Sequence, residues 1–391
     1  MRVQDYFDVV ILDDNHNGMG FVIISGVPVF VRNALKDEFV KVRIVKIFKK
    51  YALGEVAEFY KISPLRKSDV CSFYLTCGGC NLFHVSYDRE LELKSTYLKR
   101  LFGDVFTDIT YFSRFGYRNK VTLHVDNGKF GFYDEKSNCV TSFDSCFLLD
   151  DEINKFISFI KDFDFSFVRE MVIRKGDNGI LFSFYGKFNS SDMKRLFSYS
   201  FLVSVYRDDE LIYGKPYINI SFGSVKYFID HKAFFQVNNE CARALYEKVK
   251  EYCKGSERVL DLYCGMASIG LYLGNDFSVL GAEINPFSVN CAKVNIKENN
   301  SNYEVVLGDA SSVVGDFDVT VVDPPRSGLS REVISNIDKM GASKVIYISC
   351  NPSTLKRDIG LFSNYYVEEI SGFNMFPLTK HVECVCVMKR R

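Results

Sequence analysis

The sequence has no tryptophan, no net charge and no long apolar run. Lysine and arginine total 49 and are balanced by 49 aspartates and glutamates, which excludes a uniformly cationic nucleic-acid binder but not a local basic groove. The absence of tryptophan beside 36 phenylalanines and 23 tyrosines is typical of genome composition and excludes no function. No segment approaches the roughly 18 apolar residues of a membrane helix, and the N-terminal MRVQDYFDVV lacks the apolar stretch of a signal peptide. We therefore expect a cytoplasmic protein that does not bind a membrane.

The 12 cysteines are too few for a secreted disulfide scaffold, and we expect them to be reduced. Cys71, Cys77 and Cys80 lie close together in the sequence, a density that suits zinc or an iron–sulfur cluster. Only Cys77 and Cys80 have the CxxC spacing of a zinc knuckle, so the spacing alone leaves both metals open. Cys146 and Cys139 compete as the fourth ligand.

The chain of 391 residues predicts two or three domains, which differ in their hydrophobic pattern. In residues 1–60, short Val, Ile and Phe runs separated by turns predict a small OB-like β-barrel, a fold that often binds nucleic acid. Residues 61–232 predict a central α+β domain with the cysteines and a helix near 88–102. In residues 233–391, alternating strands and helices predict a doubly wound, Rossmann-like sheet. The fold class is therefore α/β plus β.

The first strand of the C-terminal region leads into a turn that suits an adenosine-bearing ligand. Gly265 lies in this turn and lets the backbone approach a ligand closely. Glu283 ends the next strand, where a carboxylate can bind both hydroxyls of a ribose, and Asp309 ends a later strand, within reach of a base. The region has neither GxGxxG nor GxxxxGK[ST], so S-adenosylmethionine fits better than a dinucleotide or a nucleoside triphosphate.

Two later strands of the same region deliver reactive side chains. Asp323 follows one strand and is held by two prolines, and Cys350 follows the next strand. Active sites of open α/β sheets lie at these carboxyl ends, where a thiolate can act as a covalent nucleophile. An inert buried cysteine is the alternative. His381 or Glu383 could serve as the general base, and a solvated turn before the last strand is the alternative.

Five motifs in the C-terminal region resemble those of the RNA 5-methyluridine methyltransferases, which depend on S-adenosylmethionine. The motifs are FFQVN (234–238), DLYCG (261–265), DPPRSGL (323–329), YISCNPSTLKRD (347–358) and FPLTKHVE (376–383). Residues 1–60 resemble the TRAM domain, the RNA-binding β-barrel of this family. The cysteine pattern resembles the 4Fe–4S site of its ribosomal-RNA branch. Ala267 and Ser268 depart from the family, many members of which have a second glycine at this place in the loop.

The resemblance implies a role for each matching residue. Cys350 is the expected nucleophile and Glu383 the expected base. The expected methyl-donor pocket is lined by Gln236, Tyr263, Glu283, Asp323 and Asp309. The expected 4Fe–4S ligands are Cys71, Cys77, Cys80 and Cys146. The expected substrate is a uridine in a loop or unfolded segment of 23S ribosomal RNA, modified by a monomer whose helix near 88–102 packs on the catalytic domain.

Four other functions compete with this interpretation. A tRNA uridine methyltransferase of the same family is disfavoured by the TRAM-like start and the cysteines, which that branch usually lacks. A radical S-adenosylmethionine enzyme needs cysteines at x3 and x2 spacing, whereas five residues separate Cys71 from Cys77. An amino-group methyltransferase has no need of Cys350 or Glu383. An RNA-binding protein with an inactive methyltransferase domain would not need to retain Cys350, Asp323 and Glu383.

Overall fold

The computed structural model describes residues 1–69, 71–134, 137 and 139–391, and the chain forms two compact units. Unit 1 contains Met1–Arg100 and the short segment Phe376–Lys380, and unit 2 contains Leu101–Met375 and His381–Arg391. The segment in unit 1 therefore interrupts the chain of unit 2 close to the C-terminus. Among the described residues, no helix is both long enough and apolar enough to cross a membrane.

Unit 1 begins with a six-stranded sheet, in the region where the sequence predicts a β-barrel. Its strands are β1 (Tyr6–Val10), β2 (Asp13–Asp14), β3 (Met19–Ile24), β4 (Val27–Arg32), β5 (Phe39–Ile47) and β6 (Ala52–Lys61). They are ordered β1-β5-β6-β4-β3-β2, and all neighbours are antiparallel except β4 and β6. Alternate residues of β3 and β5 are buried in one apolar core, as the period of two in a half-buried strand requires.

Unit 1 continues through a series of turns into helix α1 (Tyr87–Phe102), close to the predicted range. Asp88 and Glu90 lie in its first turn and Lys99 and Arg100 in its last, an arrangement that complements the helix dipole. The Ser86 hydroxyl accepts a hydrogen bond from the amide of Arg89 at 3.2 Å, which satisfies one of the unpaired amides at the start of the helix. The final residues of α1 belong to unit 2.

The first part of unit 2 forms a mixed sheet with two helices and a hairpin. After β7 (Phe106–Thr110), the elements are β8 (Lys120–Asp126), β9 (Lys129–Tyr133), β10 (Val140–Ser142), α2 (Asp151–Ile160), β11 (Val168–Gly176), β12 (Gly179–Gly186), α3 (Ser190–Phe197), β13 (Leu202–Arg207), β14 (Glu210–Gly214), β15 (Ile218–Phe222) and β16 (Val225–Ile229). The sheet has the order β10-β9-β8-β11-β12-β13-β14 in the described residues, and β15 and β16 pair only with each other. Apolar side chains of α2 are buried along one face of the helix.

The second part of unit 2 alternates strands with helices, as the sequence predicts. Its elements are α4 (Asn239–Cys253), β17 (Arg258–Leu262), α5 (Ser268–Leu273), β18 (Ser278–Glu283), α6 (Pro286–Glu298), β19 (Glu304–Leu307), β20 (Val319–Val322), α7 (Arg331–Met340), β21 (Lys344–Ser349), α8 (Pro352–Ile359), β22 (Tyr365–Phe373) and β23 (Glu383–Arg390). The sheet order is β19-β18-β17-β20-β21-β23-β22-β7. The chain reverses direction across the sheet between β17 and β20, the position at which doubly wound sheets bind ligands.

One strand of this sheet comes from far earlier in the chain. β7 pairs in parallel with β22 and forms the edge of the sheet, although it precedes residue 233 by more than a hundred positions. The sheet and the segment 376–380 therefore both cross the boundary that the hydrophobic pattern suggests.

Candidate active site

The carboxyl ends of four parallel strands meet at one edge of the eight-stranded sheet of unit 2. We call this edge the carboxyl edge. Leu262 pairs with Ala282 on one side and with Val322 on the other, and Val322 pairs with Tyr347. The residues that end or follow these strands therefore emerge together. They are Tyr263, Glu283, Asp323 and Cys350.

Strand register places Cys350 opposite Glu383. Ser349 at the end of β21 pairs with Cys384 of the antiparallel β23, so the next position outward on each strand is Cys350 and Glu383. The pairing ends at Ser349 and Cys384, and the Glu383 carboxylate is close enough to Cys350 to act on the pKa of its thiol. The side chain of Glu383 is buried, and that of Cys350 is half-buried. The predicted nucleophile and the predicted base are thus neighbours.

Cys350, Glu383 and Asp323 form one electrostatically coupled cluster at the carboxyl edge. Burial, together with the Glu383 and Asp323 carboxylates, raises the pKa of the Cys350 thiol to about 11. Burial, and secondarily Asp323, raises the pKa of Glu383 from 4.5 to about 8. Burial raises the pKa of Asp323 from 3.8 to about 7. Arg326 acts in the opposite direction on the pKa of Cys350 and of Glu383. A carboxylate of raised basicity therefore lies beside the thiol.

The loop after β20 and helix α8 are held together by a buried carboxylate that no sequence pattern singles out. Asp358 is fully buried and accepts hydrogen bonds from the Leu329 amide at 2.8 Å and from the Tyr347 hydroxyl at 2.7 Å. Arg357 donates to Asp358 at 2.7 Å and to the Ser327 carbonyl at 2.8 Å. These bonds explain why the DPPRSGL and YISCNPSTLKRD motifs carry polar residues beyond the reactive ones.

The turn after β17 adopts an unusual backbone conformation. Tyr263, Gly265 and Ala267 all have positive φ, at 62°, 57° and 69°. The left-handed conformation costs a residue other than glycine roughly 1–2 kcal/mol, so Tyr263 and Ala267 are held in an unfavourable backbone conformation. Strain of this kind is concentrated at ligand-binding sites.

Glu283 joins this turn to the end of β18. One of its carboxylate oxygens accepts a hydrogen bond from the Gly265 amide at 3.1 Å, and the other accepts one from the Asn285 amide at 2.7 Å. Asp261 lies nearby at the end of β17, with Oδ1 buried and without a hydrogen-bond partner in the described residues. Burial raises the pKa of Asp261 to about 7. An acceptor without a donor suits a ligand that brings an N–H or O–H group, and the sequence offered no signal for it beyond the DLYCG motif.

The two remaining candidates for the donor pocket differ in burial. Gln236 is buried in the segment before α4, where its backbone carbonyl accepts a hydrogen bond from the Asn119 amide side chain at 3.0 Å. Asp309 is exposed after β19, and its carboxylate accepts hydrogen bonds from the amide of Ser311 at 2.8 Å and from its hydroxyl at 2.5 Å. These bonds hold the pKa of Asp309 below its usual value.

The predicted cluster ligands lie in both units. Cys71, Cys77 and Cys80 belong to residues 71–82 of unit 1, which we call the cysteine loop, and Cys146 belongs to unit 2. In the cysteine loop, the Cys77 sulfur accepts a hydrogen bond from the Gly79 amide at 3.4 Å. Throughout the described part of the chain, however, no group of three or more His, Cys, Asp or Glu side chains is arranged to hold a metal ion. The structure therefore does not support the iron–sulfur prediction.

Three family models match parts of this chain. The model "tRNA (Uracil-5-)-methyltransferase" matches residues 313–391, "Methyltransferase small domain" matches 236–340, and "TRAM domain" matches 2–57. The first of these ranges contains Cys350 and Glu383, and the last contains most of the six-stranded sheet of unit 1.

Similar proteins align over nearly the whole chain. An uncharacterized RNA methyltransferase of Bacillus cereus is 30% identical, with 99% of this chain and 97% of the relative covered. Another, from Clostridium acetobutylicum, is 30% identical over 100% of this chain and 98% of the relative. The crystal structure of the Pyrococcus abyssi tRNA (uracil-54, C5)-methyltransferase in complex with S-adenosyl-L-homocysteine is 29% identical, with a TM-score of 0.83 over 97% of this chain and 99% of that one.

Proposed function

The chain belongs to the RNA (uracil-5-)-methyltransferase family and is an S-adenosylmethionine-dependent enzyme; we propose that it methylates carbon 5 of a uridine in 23S ribosomal RNA through a covalent adduct with Cys350. The observation that carries the covalent mechanism is the register that sets Cys350 opposite Glu383. The proposal places this work in the cytoplasm, carried out by a monomer.

The reaction requires one thiolate and one base. Carbon 5 of uracil is a poor nucleophile. Once the Cys350 thiol has passed its proton to a neighbouring carboxylate, its sulfur adds to carbon 6 and makes an enolate with electron density at carbon 5. S-adenosylmethionine supplies the methyl group on a sulfonium. Glu383 then removes the remaining proton from carbon 5, the double bond between carbons 5 and 6 re-forms, and the Cys350 thiolate leaves. The pKa of Glu383 is raised to about 8, so its ionised form, whose share grows as the pH rises towards 8, is a stronger base than an exposed glutamate.

The residues of the carboxyl edge fit the methyl donor. We assign Glu283 to the ribose hydroxyls, Tyr263 and Gln236 to the walls of the pocket, and Asp309 to the adenine. The unpartnered oxygen of Asp261 suits the ammonium group of the methionine moiety, since it is a buried acceptor that lacks a donor. Asp323 lies between this pocket and Cys350 in strand order, so it suits a contact with both the donor and the uracil.

The test of the covalent mechanism is Glu383→Gln. Addition and methyl transfer do not need the base, whereas elimination does, so the variant should accumulate a covalent RNA adduct while turnover falls by about 10²–10⁴-fold. A denaturing gel of enzyme with target RNA should show a slowly migrating, heat-stable band. RNA containing 5-fluorouridine should trap the wild-type enzyme in the same way. Turnover that falls without an adduct would contradict the mechanism.

Ribosomal RNA and tRNA remain two candidate substrates. Resemblance of the cysteine pattern to the ribosomal-RNA branch supports the first. The second is favoured by the Pyrococcus abyssi enzyme, named for uracil 54 of tRNA, because its match covers 97% of this chain and so includes the N-terminal domain. Mapping 5-methyluridine in a strain without this protein distinguishes them. Loss from 23S ribosomal RNA alone is expected, and loss from tRNA alone would overturn the assignment.

The proposal also includes the domain division 1–60, 61–232 and 233–391 and a 4Fe–4S cluster on Cys71, Cys77, Cys80 and Cys146. Spacing and resemblance support the cluster, and no step of the reaction uses it. The amide that donates to Cys77 Sγ is consistent with such a ligand, since backbone hydrogen bonds to sulfur are common at iron–sulfur sites. Iron and sulfide content of protein purified without oxygen tests this part.

A further inference from the structure

The segment 376–380 lies immediately before Glu383 in the sequence but packs within unit 1. The chain leaves the sheet of unit 2 after Phe373, passes through this segment and returns to the sheet at Glu383. Leu378, at the middle of the segment, is fully buried. A part of unit 1 is therefore connected to the proposed base by two intervening residues.

A buried ion pair on helix α1 holds this segment. Glu90 and Lys94 are fully buried, and their charged groups are 2.9 Å apart. The Glu90 carboxylate also accepts a hydrogen bond from the Leu378 amide at 2.9 Å, and the Lys94 ammonium donates to the Phe376 carbonyl at 3.3 Å. Buried ion pairs can often be replaced by apolar residues without loss of stability, so stability alone does not explain this pair. The hydrogen bonds that Glu90 and Lys94 form with the segment give the pair a role beyond stability.

The cysteine loop also holds the segment, through hydrogen bonds to other backbone groups of the segment. The amides of Asn81 and Leu82 both donate to the Leu378 carbonyl at 2.9 Å, and the Asn81 side chain accepts a hydrogen bond from the Lys380 amide at 3.3 Å. Leu378 has a φ of 66°, a left-handed conformation that is unfavourable for leucine. The segment is thus fixed by bonds to its amides and carbonyls, in a conformation that it would not adopt alone.

We propose that Glu90 and Lys94 are positioning residues for Glu383, a role that rests on the proposed function of Glu383 as base. A residue spans at most about 3.6 Å of chain, so the two residues after Lys380 leave little slack. A displaced segment would therefore displace the start of β23. A misplacement of about 1 Å in an active site can cost about 10²-fold in rate. The step that suffers is proton removal from carbon 5, because Cys350 lies on a different strand.

The experiment replaces the ion pair with apolar residues in the full-length protein. Glu90→Leu with Lys94→Met removes both charges and both bonds to the segment. The matched control is Glu38→Leu with Arg66→Met. It removes another ion pair of unit 1, 2.6 Å long, between buried Glu38 and partly buried Arg66, and both partners also bind backbone groups. Thermal unfolding, kcat and KM for the RNA, and the fraction of enzyme trapped as adduct are measured for each.

The Glu90/Lys94 variant should lose about 10–100-fold in kcat, with little change in KM, and should accumulate the covalent RNA adduct. The control should unfold at a similarly altered temperature without accumulating adduct. If the double variant fails to fold, Glu90→Gln is the substitute test, since it is a milder change that retains an acceptor oxygen. It should raise the fraction of trapped adduct and lower kcat, as expected for the double variant. The inference is overturned if the Glu90/Lys94 variant folds but accumulates no adduct. It is also overturned if the control accumulates as much adduct as that variant.

Failure of the inference and failure of the proposed function give different results. If Glu383→Gln accumulates adduct and the Glu90/Lys94 variant does not, only the positioning role is wrong. If Glu383→Gln accumulates none, the role of Glu383 as base is wrong, and the positioning role is overturned with it.

Discussion

The carboxyl edge and the cysteine loop both present cysteines, but only the first fixes its side chain by strand register. Cys350 follows a residue paired with Cys384, so its place is set before any ligand binds. In the cysteine loop, the Cys77 amide donates to the Phe73 carbonyl, a near neighbour in the sequence, and the bonds to the distant Leu378 come from Asn81 and Leu82, not from a cysteine. A set of turns does not by itself bring distant ligands together, and metal binding often supplies the free energy that does. A nucleophile can therefore be preorganised where a ligand set is not.

The largest effect should follow removal of the preorganised thiol. Cys350→Ala should lower methylation by on the order of 10⁴-fold or more, because no other group can add to carbon 6. The control is Cys386→Ala, a buried cysteine further along β23, which should fold less stably yet remain active. Incorporation of labelled methyl groups into target RNA measures both. Substantial activity of Cys350→Ala would remove the contrast between the two regions.

Changes in the cysteine loop should affect iron content more than the rate. If the proposed 4Fe–4S cluster is bound, Cys77→Ser should lose the iron of protein purified without oxygen. Its methylation rate should fall far less than that of Cys350→Ala, because the reaction uses no electrons from a cluster. Cys139→Ser is the matched control, since Cys139 is exposed and is the competing fourth ligand. Retained iron in Cys77→Ser, or lost iron in Cys139→Ser with retention in Cys146→Ser, would show the ligand set to be wrong.

The buried carboxyls of the carboxyl edge should make stability depend on pH. The pKa of Glu383 is about 8 in the folded chain and 4.5 in its ordinary state, so the folded state binds the additional proton between these values. Its contribution to the free energy of unfolding is therefore present below pH 4.5 and lost as the pH rises through 8. Denaturant unfolding should show a shallower decline for Glu383→Gln than for the wild type across this range.

Asp309→Asn provides the opposite case for the same measurement. The pKa of Asp309 lies below 3.8, so its contribution to stability is present above 3.8 and is lost as the pH falls. The substitution should leave the slope between pH 4.5 and 8 as in the wild type. Equal slopes for all three proteins would contradict the protonated state of Glu383.

The smallest effect concerns the strained turn after β17. Ala267→Gly removes the cost of a positive φ but increases the freedom of the unfolded chain, so the free energy of unfolding should change by no more than about 1 kcal/mol. Affinity for S-adenosylhomocysteine, measured by calorimetry, should remain close to that of the wild type. A large loss of affinity would show that the alanine methyl group itself contacts the ligand.

Sequence patterns predicted the strands of the carboxyl edge well because those strands are buried on both faces. Val319–Val322 is a run of β-branched residues that ends at a proline-containing loop, and the observed strand has the same bounds and is buried throughout. Helix α1 was predicted within one residue of its observed start, because its apolar residues recur at helical spacing among charges.

The features that sequence reasoning missed depend on tertiary pairing. The pattern of Phe106–Thr110 does not reveal that its partner is β22, since strand pairing leaves no mark on one strand alone. Glu90 and Lys94 have the i,i+4 spacing of an ordinary exposed ion pair, and only the folded chain shows both to be buried. Asp358 likewise resembles a surface charge until Leu329 and Tyr347 are seen to donate to it.

The position of β7 at the edge of the eight-stranded sheet of unit 2 has a consequence for synthesis of the protein. The ribosome completes β7 long before β22 emerges, so a nascent chain must keep this strand from other partners until its own is made. A fragment that begins at residue 233 would instead expose the outer edge of β22, and open strand edges promote aggregation. A methyltransferase fragment that starts where the sequence motifs begin should therefore aggregate more readily than the full-length chain.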